Sequence, residues 1–419
     1  MTNFRTQGNV SIGGNISIHQ DGSISSLGNL SFGNISVASN GDITTSGGVY
    51  LNGVKLGAGT SSPVVIGTLW AWGDNGWGQL GLGNTTPYSS PVQVGSMTNW
   101  ASVSCCGSYA IAAIKADGTL WAWGYNGYGQ FGLGNTTSYS SPVQVGSMTN
   151  WKSVACGSGG YVTMAIKTDG TLWACGYNGQ GQLGLGNTTS YSSPVQVGSM
   201  TNWASVACGS AATAAIKTDG TLWAWGENNF GQLGLGNTSS YSSPVQVGSM
   251  TNWKLISCAY NTTMAIKTDG TLWACGYNGQ GQLGLGNTTS YSSPVQVGSM
   301  TNWASVSGGQ GFTTATKTDG TLWVWGLNNY YQLGTGPNNV NYSSPIQIGG
   351  LTNWTDTVSG VYSSAAVKTD GTLWVFGNNG IGQLGQGNEN TYSSPVQVGT
   401  LTNWVSAACG AWLTLAIQK

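Results

Sequence analysis

The tetrapeptide Gly-Thr-Leu-Trp begins at Gly67, Gly118, Gly170, Gly220, Gly270, Gly320 and Gly371, seven copies spaced 50 to 52 residues apart. A unit that short cannot bury its own apolar face, so a fixed period of this size signals a propeller or a solenoid built by stacking neighbours. One unit, starting at Gly170, reads GTLWACGYNGQGQLGLGNTTSYSSPVQVGSMTNWASVACGSAATAAIKTD. Four short strands are legible in it, TLWAC, PVQV, ASVAC and TAAIK, each bounded by Gly, Asn, Ser or Asp-Gly turn signals. The Thr-Asp-Gly between the fourth strand and the next TLW is a tight hairpin signal, because Gly tolerates positive φ. Four antiparallel strands per period make a propeller blade.

Alternation within the strands supports blades over a free-standing sheet. In TLWAW, Trp70 and Trp72 point to one side and Leu69 and Ala71 to the other. Both sides are apolar, one large and one small, as packing between two neighbouring blades requires. Charged residues make up 5% of the 419, yet 20 Trp and 18 Tyr supply ample area to bury, which argues against disorder. The 69 Gly fit many turns, and no segment sustains helical apolar spacing. The expected class is therefore all-β, with residues 67–419 forming the ring and residues 1–66 a separate arm.

The motif GTLWAWG-x-N-x-x-GQLGLG, followed by SVACG and AIKTDG, resembles the regulator of chromosome condensation repeat in its bacterial and viral style, over residues 67–419. That resemblance implies a seven-bladed propeller in which ASVAC and TAAIK form the inner pair of each blade. The ring then begins with an outer pair (67–94) and ends with an inner pair (405–418), so the terminal segments complete one shared blade and leave no open edge.

Residues 1–66 lack the repeat. Short alternating stretches (Val10-Ser11-Ile12, Ile16-Ser17-Ile18, Leu30-Ser31-Phe32, Ile35-Ser36-Val37, Val49-Tyr50-Leu51) are separated by Gly and Asn. Alone they bury little, which suggests pairing with copies of themselves, trimers being favoured, or with another protein; a flexible leader is the alternative. The pattern GDITTSGGVYLNGVKLG resembles connector segments of bacteriophage tail-fibre and virion proteins.

Comparing the seven copies locates a candidate face. YSSPVQVG and TNW hardly change, and Tyr88, Tyr139, Tyr191, Tyr241, Tyr291, Tyr342 and Tyr392 recur as structural residues. Variation collects in two loops. After TLWAWG the first loop carries Tyr125, Tyr177 and Tyr277, with Asp74, Glu227, Leu327 and Asn378 in the other copies. Three residues further on come Trp77, Tyr128, Phe230 and Tyr330, with Gln180, Gln280 and Ile381 in the rest. The second loop, after SVACG, carries Tyr109, Tyr161, Tyr260, Phe312, Tyr362 and Trp412. As first and third turns of a meander these loops emerge on one rim of the ring, and the uniform turns on the other. Uncharged aromatic and amide loops suit recognition, because rings supply contact area at low entropy cost. The arm joins at the uniform rim, so the variable rim is expected to face away from whatever the arm grips.

Chemistry for catalysis is thin. The single histidine, His19, is in the arm, and six of the twelve acidic residues are the hairpin Asp117, Asp169, Asp219, Asp269, Asp319 and Asp370, each beside a Lys. No metal-ligand spacing occurs and no cofactor is expected. Eight Cys are expected to be free thiols buried as small hydrophobes, since the ring should hold equivalent positions apart. Eleven dispersed cations argue against nucleic acid, and no run of 18 apolar residues suggests membrane insertion. The expectation is a non-enzymatic virion structural or binding protein, a tail fibre or surface appendage exposed on the particle. Its ring would recognise a host-surface glycan or protein, and its arm would meet other virion proteins. The alternatives are an architectural decoration or filament subunit, and a propeller that regulates another enzyme.

Overall fold

The hairpin inside each repeat closes as its chemistry dictates. Gly118 takes φ 76° and donates its N–H to the Lys115 carbonyl at 2.9 Å, while a Cβ there would lie 2.1 Å from the Thr149 carbonyl oxygen. Only glycine satisfies both constraints. The computed structural model describes residues 66–107, 109–159 and 161–419 in full, and of residues 1–65 only the backbone of six strands. Those strands, Val10–Ile12, Ile16–Ile18, Ile24–Ser26, Leu30–Val37, Ile43–Leu51 and Val54–Leu56, pair as two three-stranded antiparallel sheets. The chain divides into two units, Met1–Val64 and Val65–Lys419. Side chains of the first unit lie outside the described residues, and so do His19, the expected trimer and the expected contacts through the arm.

The second unit is a seven-bladed propeller. The first continuous blade carries strands Trp100–Cys106, Ala110–Lys115, Leu120–Gly124 and Tyr139–Gln144, hydrogen-bonded in that order, and five more blades repeat it. The fourth strand of each blade begins at the repeated Tyr, three residues before the PVQV read from the sequence. The seventh blade is composite: Trp404–Cys409 and Leu413–Gln418 pair with Thr68–Gly73 and Tyr88–Gln93. Its seam runs from Leu413 opposite Gly73 to Gln418 opposite Thr68.

The large and small faces meet as the alternation requires. Leu69, Ala71, Leu413, Leu415 and Ile417 of the composite blade pack against Trp100, Ile111, Ala113 and Trp123 of the next. On its other side, Trp72, Trp404 and Ala416 meet Ala365, Val367, Leu373, Val375, Leu384 and Val398. Burying one such indole, on the order of 200 Å², contributes roughly 5 kcal/mol before conformational entropy is subtracted.

The uniform rim is fixed by a chain of side-chain contacts. In the first continuous blade Trp121 Nε1 donates to Thr119 Oγ1 at 2.8 Å, and Thr119 donates its hydroxyl to Asp117 Oδ1 at 2.6 Å. Lys115 Nζ lies 3.6 Å from the Trp121 ring centroid and 5.2 Å from that of Trp100. The same two-ring seat holds Lys167, Lys217, Lys267, Lys317 and Lys368. The hairpin aspartates are thus turn residues, as expected, but the lysine beside each rests on indole faces instead of balancing the carboxylate.

Two readings of the cysteines are corrected. Cys106 and Cys156 form a disulfide, with Cα atoms 4.5 Å apart. The ring separates outer strands but brings the first strands together at its axis. Cys156 N donates to Ser104 Oγ at 3.1 Å, and Ser359 N to Ser307 Oγ at 2.9 Å. Cys105, Cys258 and Cys409 are also only partly buried, because they face the axial channel; Cys175, Cys208 and Cys275 are buried thiols.

Candidate binding face

Each variable loop is set by a glycine ending the third strand. Gly124 has φ 96°, and a Cβ there would meet the Tyr109 carbonyl oxygen at 2.2 Å. The next residue, Tyr125, then donates its N–H to that carbonyl at 2.7 Å. The equivalent bonds run from Asp74 to Trp412, Tyr177 to Tyr161, Glu227 to Ala211, Tyr277 to Asn261, Leu327 to Gly311 and Asn378 to Tyr362. The two variable loops of every blade are therefore zipped side by side on one rim.

Below them lies a repeated amide scaffold that sequence reasoning passed over. Asn75 is fully buried; its Nδ2 donates to the carbonyls of Asn84 and Thr86 at 3.0 and 2.9 Å, and its Oδ1 accepts from Leu80 N at 2.9 Å. Asn126, Asn178, Asn228, Asn278, Asn328 and Asn379 repeat the arrangement. Buried Gln79 accepts from Trp77 N at 2.8 Å, and Gln130, Gln182, Gln232, Gln282, Gln332 and Gln383 do the same for the residue two before them. The signal was present in the sequence, as the one Asn and one Gln that never vary within loops that otherwise do.

On this scaffold Trp77, Tyr128, Phe230 and Tyr330 are exposed, at 50%, 41%, 40% and 43%. They are half of the exposed large apolar side chains among the described residues, so one loop position concentrates them on one rim. Trp77 packs on Tyr125 with centroids 4.8 Å apart; Tyr128 packs on Tyr161 and Tyr177 at 4.6 and 5.4 Å. Phe230 packs on Tyr277 at 5.0 Å. Tyr330, Tyr362 and Trp412 form a further run, each step 4.8 Å.

The inner loop needs a shifted register. The matched positions are Tyr109, Tyr161, Ala211, Asn261, Gly311, Tyr362 and Trp412, as the hydrogen bonds above show. Phe312 lies one residue further, begins its strand opposite Gly326, and is buried against Leu322, Val324 and Phe376. It is a core residue and leaves the candidate set. Tyr260 lies one residue earlier and stands at the mouth of the axial channel, whose cavity is about 260 Å³. Burial, then the neighbouring Tyr362, Tyr109 and Tyr161, push its phenol up to about 12. Burial also raises Tyr161, helped by Tyr128, Tyr109 and Tyr125. These tyrosines thus converge around the mouth and stay protonated at neutral pH.

The electrostatics of the rims differ. Every described lysine sits at the uniform rim, in the hairpins, directly after Trp151 and Trp253, or at Lys419. The variable rim carries Asp74 and Glu227 and no cation among the described residues. Burial raises the channel thiols, Cys409 to about 12 and Cys258 to about 11, which leaves little thiolate for nucleophilic chemistry. Among the described residues no three His, Cys, Asp or Glu are arranged to hold a metal.

Comparison with known proteins places this geometry. Residues 159–419 match the RCC1-like domain, and residues 67–113 and 117–166 match the regulator of chromosome condensation (RCC1) repeat. The E3 ubiquitin-protein ligase HERC2 of Homo sapiens is 31% identical over 153 residues, which is 34% of this chain and 3% of HERC2. The ultraviolet-B receptor UVR8 of Arabidopsis thaliana is 33% identical over 152 residues, 36% of this chain and 34% of the receptor. The chain thus spans a small part of these relatives. Among solved structures, human WBSCR16 superimposes with a TM-score of 0.75 at 23% identity, covering 84% of this chain and all of that one. Saccharomyces cerevisiae Prp20p, studied for its binding to Gsp1p and histones, gives 0.75 at 18% identity, covering 85% of this chain and 93% of that one. At such identity these two likenesses establish the fold.

Proposed function

The chain belongs to the regulator of chromosome condensation (RCC1) repeat family, and from that premise we propose that it is a non-catalytic recognition propeller whose variable rim binds a glycan or protein on another surface. The observation that carries this reading is the segregation of its side chains. Exposed aromatics and amides occupy one rim, while cations and repeated turns occupy the other. Rings fixed edge-to-face at 4.6 to 5.4 Å present apolar area with little rotamer freedom left to lose on binding. The relatives' names fit a fold used for recognition in unlike settings: a receptor, a ligase, and a protein that binds Gsp1p and histones.

Attachment to a virion, as a fibre tip or appendage whose arm meets other particle proteins, is the finer form of the proposal. It is supported only by the sequence of residues 1–66. The general reading is tested by probing glycan and protein arrays with the full chain and with Trp77→Ala, Tyr128→Ala and Trp412→Ala. Leu351→Ala, an exposed change on the uniform rim, serves as the control. Binding that falls in the three variants and not in the control supports the variable rim. Undiminished binding in all three removes it.

A further inference from the structure

The variable rim is not evenly covered, and its gap has the makings of a site. At the matched inner-loop position four successive blades carry bulky rings, Tyr362, Trp412, Tyr109 and Tyr161, and the other three carry Ala211, Asn261 and Gly311. Gly311, at φ 80°, leaves open the space where its counterparts place a ring, with only Leu327 and Gln280 within 4 Å of where a Cβ would be. A groove of about 380 Å³ results, between Tyr260, Asn261, Tyr277, Gln310, Tyr330 and Tyr362. That volume falls in the size class of small-molecule sites, about 300–1,000 Å³.

We propose that this groove is a saccharide subsite that seats a terminal neutral hexose or N-acetylhexosamine of a larger glycan. The inference rests on the reading of the variable rim as a recognition surface and names its ligand class. Three features select that class. No charged side chain lines the groove, and no described cation lies on its rim, so carboxylated, sulfated or phosphorylated ligands would be desolvated without compensation. Tyr330 and Tyr362, packed at 4.8 Å and 62°, give a stiff aromatic wall whose negative ring faces suit the weakly positive C–H faces of a pyranose. The carboxamides of Asn261 and Gln310 make no hydrogen bond within the described chain, although both side chains are half-buried. A carboxamide offers a donor and an acceptor side by side, which matches a pair of adjacent sugar hydroxyls. The floor is also preset, because Gln280 is held by Gln282 through its N–H at 2.9 Å and by Asn341 through its Oε1 at 3.0 Å.

The test is calorimetric titration of the full chain with methyl glycosides of neutral hexoses and N-acetylhexosamines, and with the methyl glycoside of sialic acid. At least one neutral glycoside should bind and the acidic one should not. Gln310→Ala, Asn261→Ala and Tyr330→Ala should each weaken that binding about tenfold without changing the melting temperature, the loss expected for one buried polar or aromatic contact. Leu351→Ala on the uniform rim should leave it unchanged. The proposal is overturned if no neutral glycoside binds, if the acidic glycoside binds better, if neutral peptides bind where glycosides do not, or if none of the three groove variants alters affinity. The two readings fail separately. Array binding lost in Trp77→Ala and Tyr128→Ala, with no glycoside bound by the parent chain, keeps the rim and sinks the groove.

Discussion

Removing residues 413–419 tests the closure of the ring most directly. The segment supplies the second strand of the composite blade, pairing with Thr68–Gly73 on one side and Trp404–Cys409 on the other. Leu413, Leu415, Ala416 and Ile417 are fully buried in it. Three large aliphatic side chains at about 1.5–3 kcal/mol each contribute roughly 5–9 kcal/mol. The deletion also bares the small-face partners of Trp100 and two unpaired strand edges. That sum is comparable to the whole stability of an ordinary domain, about 5–15 kcal/mol. The truncated chain should melt at least 10 °C lower, by an order-of-magnitude conversion of about 2 °C per kcal/mol for a large domain, and should self-associate on size exclusion through its new edges. Deleting Lys419 alone should shift the midpoint little. A permutant that joins Lys419 to Ile66 and opens the chain at residues 98–99 should restore closure, because Gln418 already lies opposite Thr68. A 413–419 deletion melting within about 2 °C of the full chain, less than 1 kcal/mol on the same scale, would refute the argument that this seam holds the ring.

Other consequences are as direct. Thr221 donates its hydroxyl and backbone N–H to Asp219, which holds that carboxyl below its ordinary 3.8, and the same contact recurs in five other hairpins. A folded value below the unfolded one means the stabilisation is present above the ordinary value and is lost as pH falls through the folded one. Melting temperature should therefore drop on acidification below about pH 4, and replacing the six threonines by Val should flatten the drop. Burial keeps Cys258 near 11 and Cys175 and Cys275 near 12, so at pH 8 their thiolate fraction is on the order of one in a thousand or less. Ellman's reagent should react slowly with the native chain and report six thiols once it is unfolded; eight would contradict the Cys106–Cys156 bond. Asn278→Ala removes bonds to Asn287, Thr289 and Leu283 and should cost about 2–4 kcal/mol in urea unfolding.

The architecture was legible because repetition makes one chain its own alignment. Seven copies of Gly-Thr-Leu-Trp give the blade number, and counting inner and outer pairs at the two ends gives the composite blade. What depends on distance from the axis was not legible. Sequence treats Cys106 and Cys156 as far apart, whereas the first strands converge until side chains of one blade bond backbone of the next. The inner loop misled for another reason. It varies in length, so counting from the preceding strand aligned Phe312 with Tyr109 when only the hydrogen bond to the next loop defines the match. The error was one residue, and in a strand one residue exchanges core for rim. Lysine was misread because its nearest charge in sequence is Asp, while its nearest surface in space is the pair of indoles.

The amide scaffold explains how one rim can vary while the other cannot. On the uniform rim each side chain is a partner: Asp117 needs the Thr119 hydroxyl, Thr119 takes the Trp121 indole, and Lys115 needs both rings. Changing any one strands the others, so the seven copies agree. On the variable rim Gln79 and its counterparts grip only the backbone N–H of the presented residue. Trp77, Tyr128, Gln180, Phe230, Gln280, Tyr330 and Ile381 all satisfy that bond equally, since it asks nothing of the side chain. Exchanging residues among these seven positions should therefore leave stability within about 0.5 kcal/mol while changing what the rim binds. Moving Tyr128 to position 180 and Gln180 to position 128 is the cleanest trial, because composition stays constant. If that exchange lowered stability as much as Asn278→Ala, the presented side chains would be structural after all, and the rim would lose its claim to be a recognition surface.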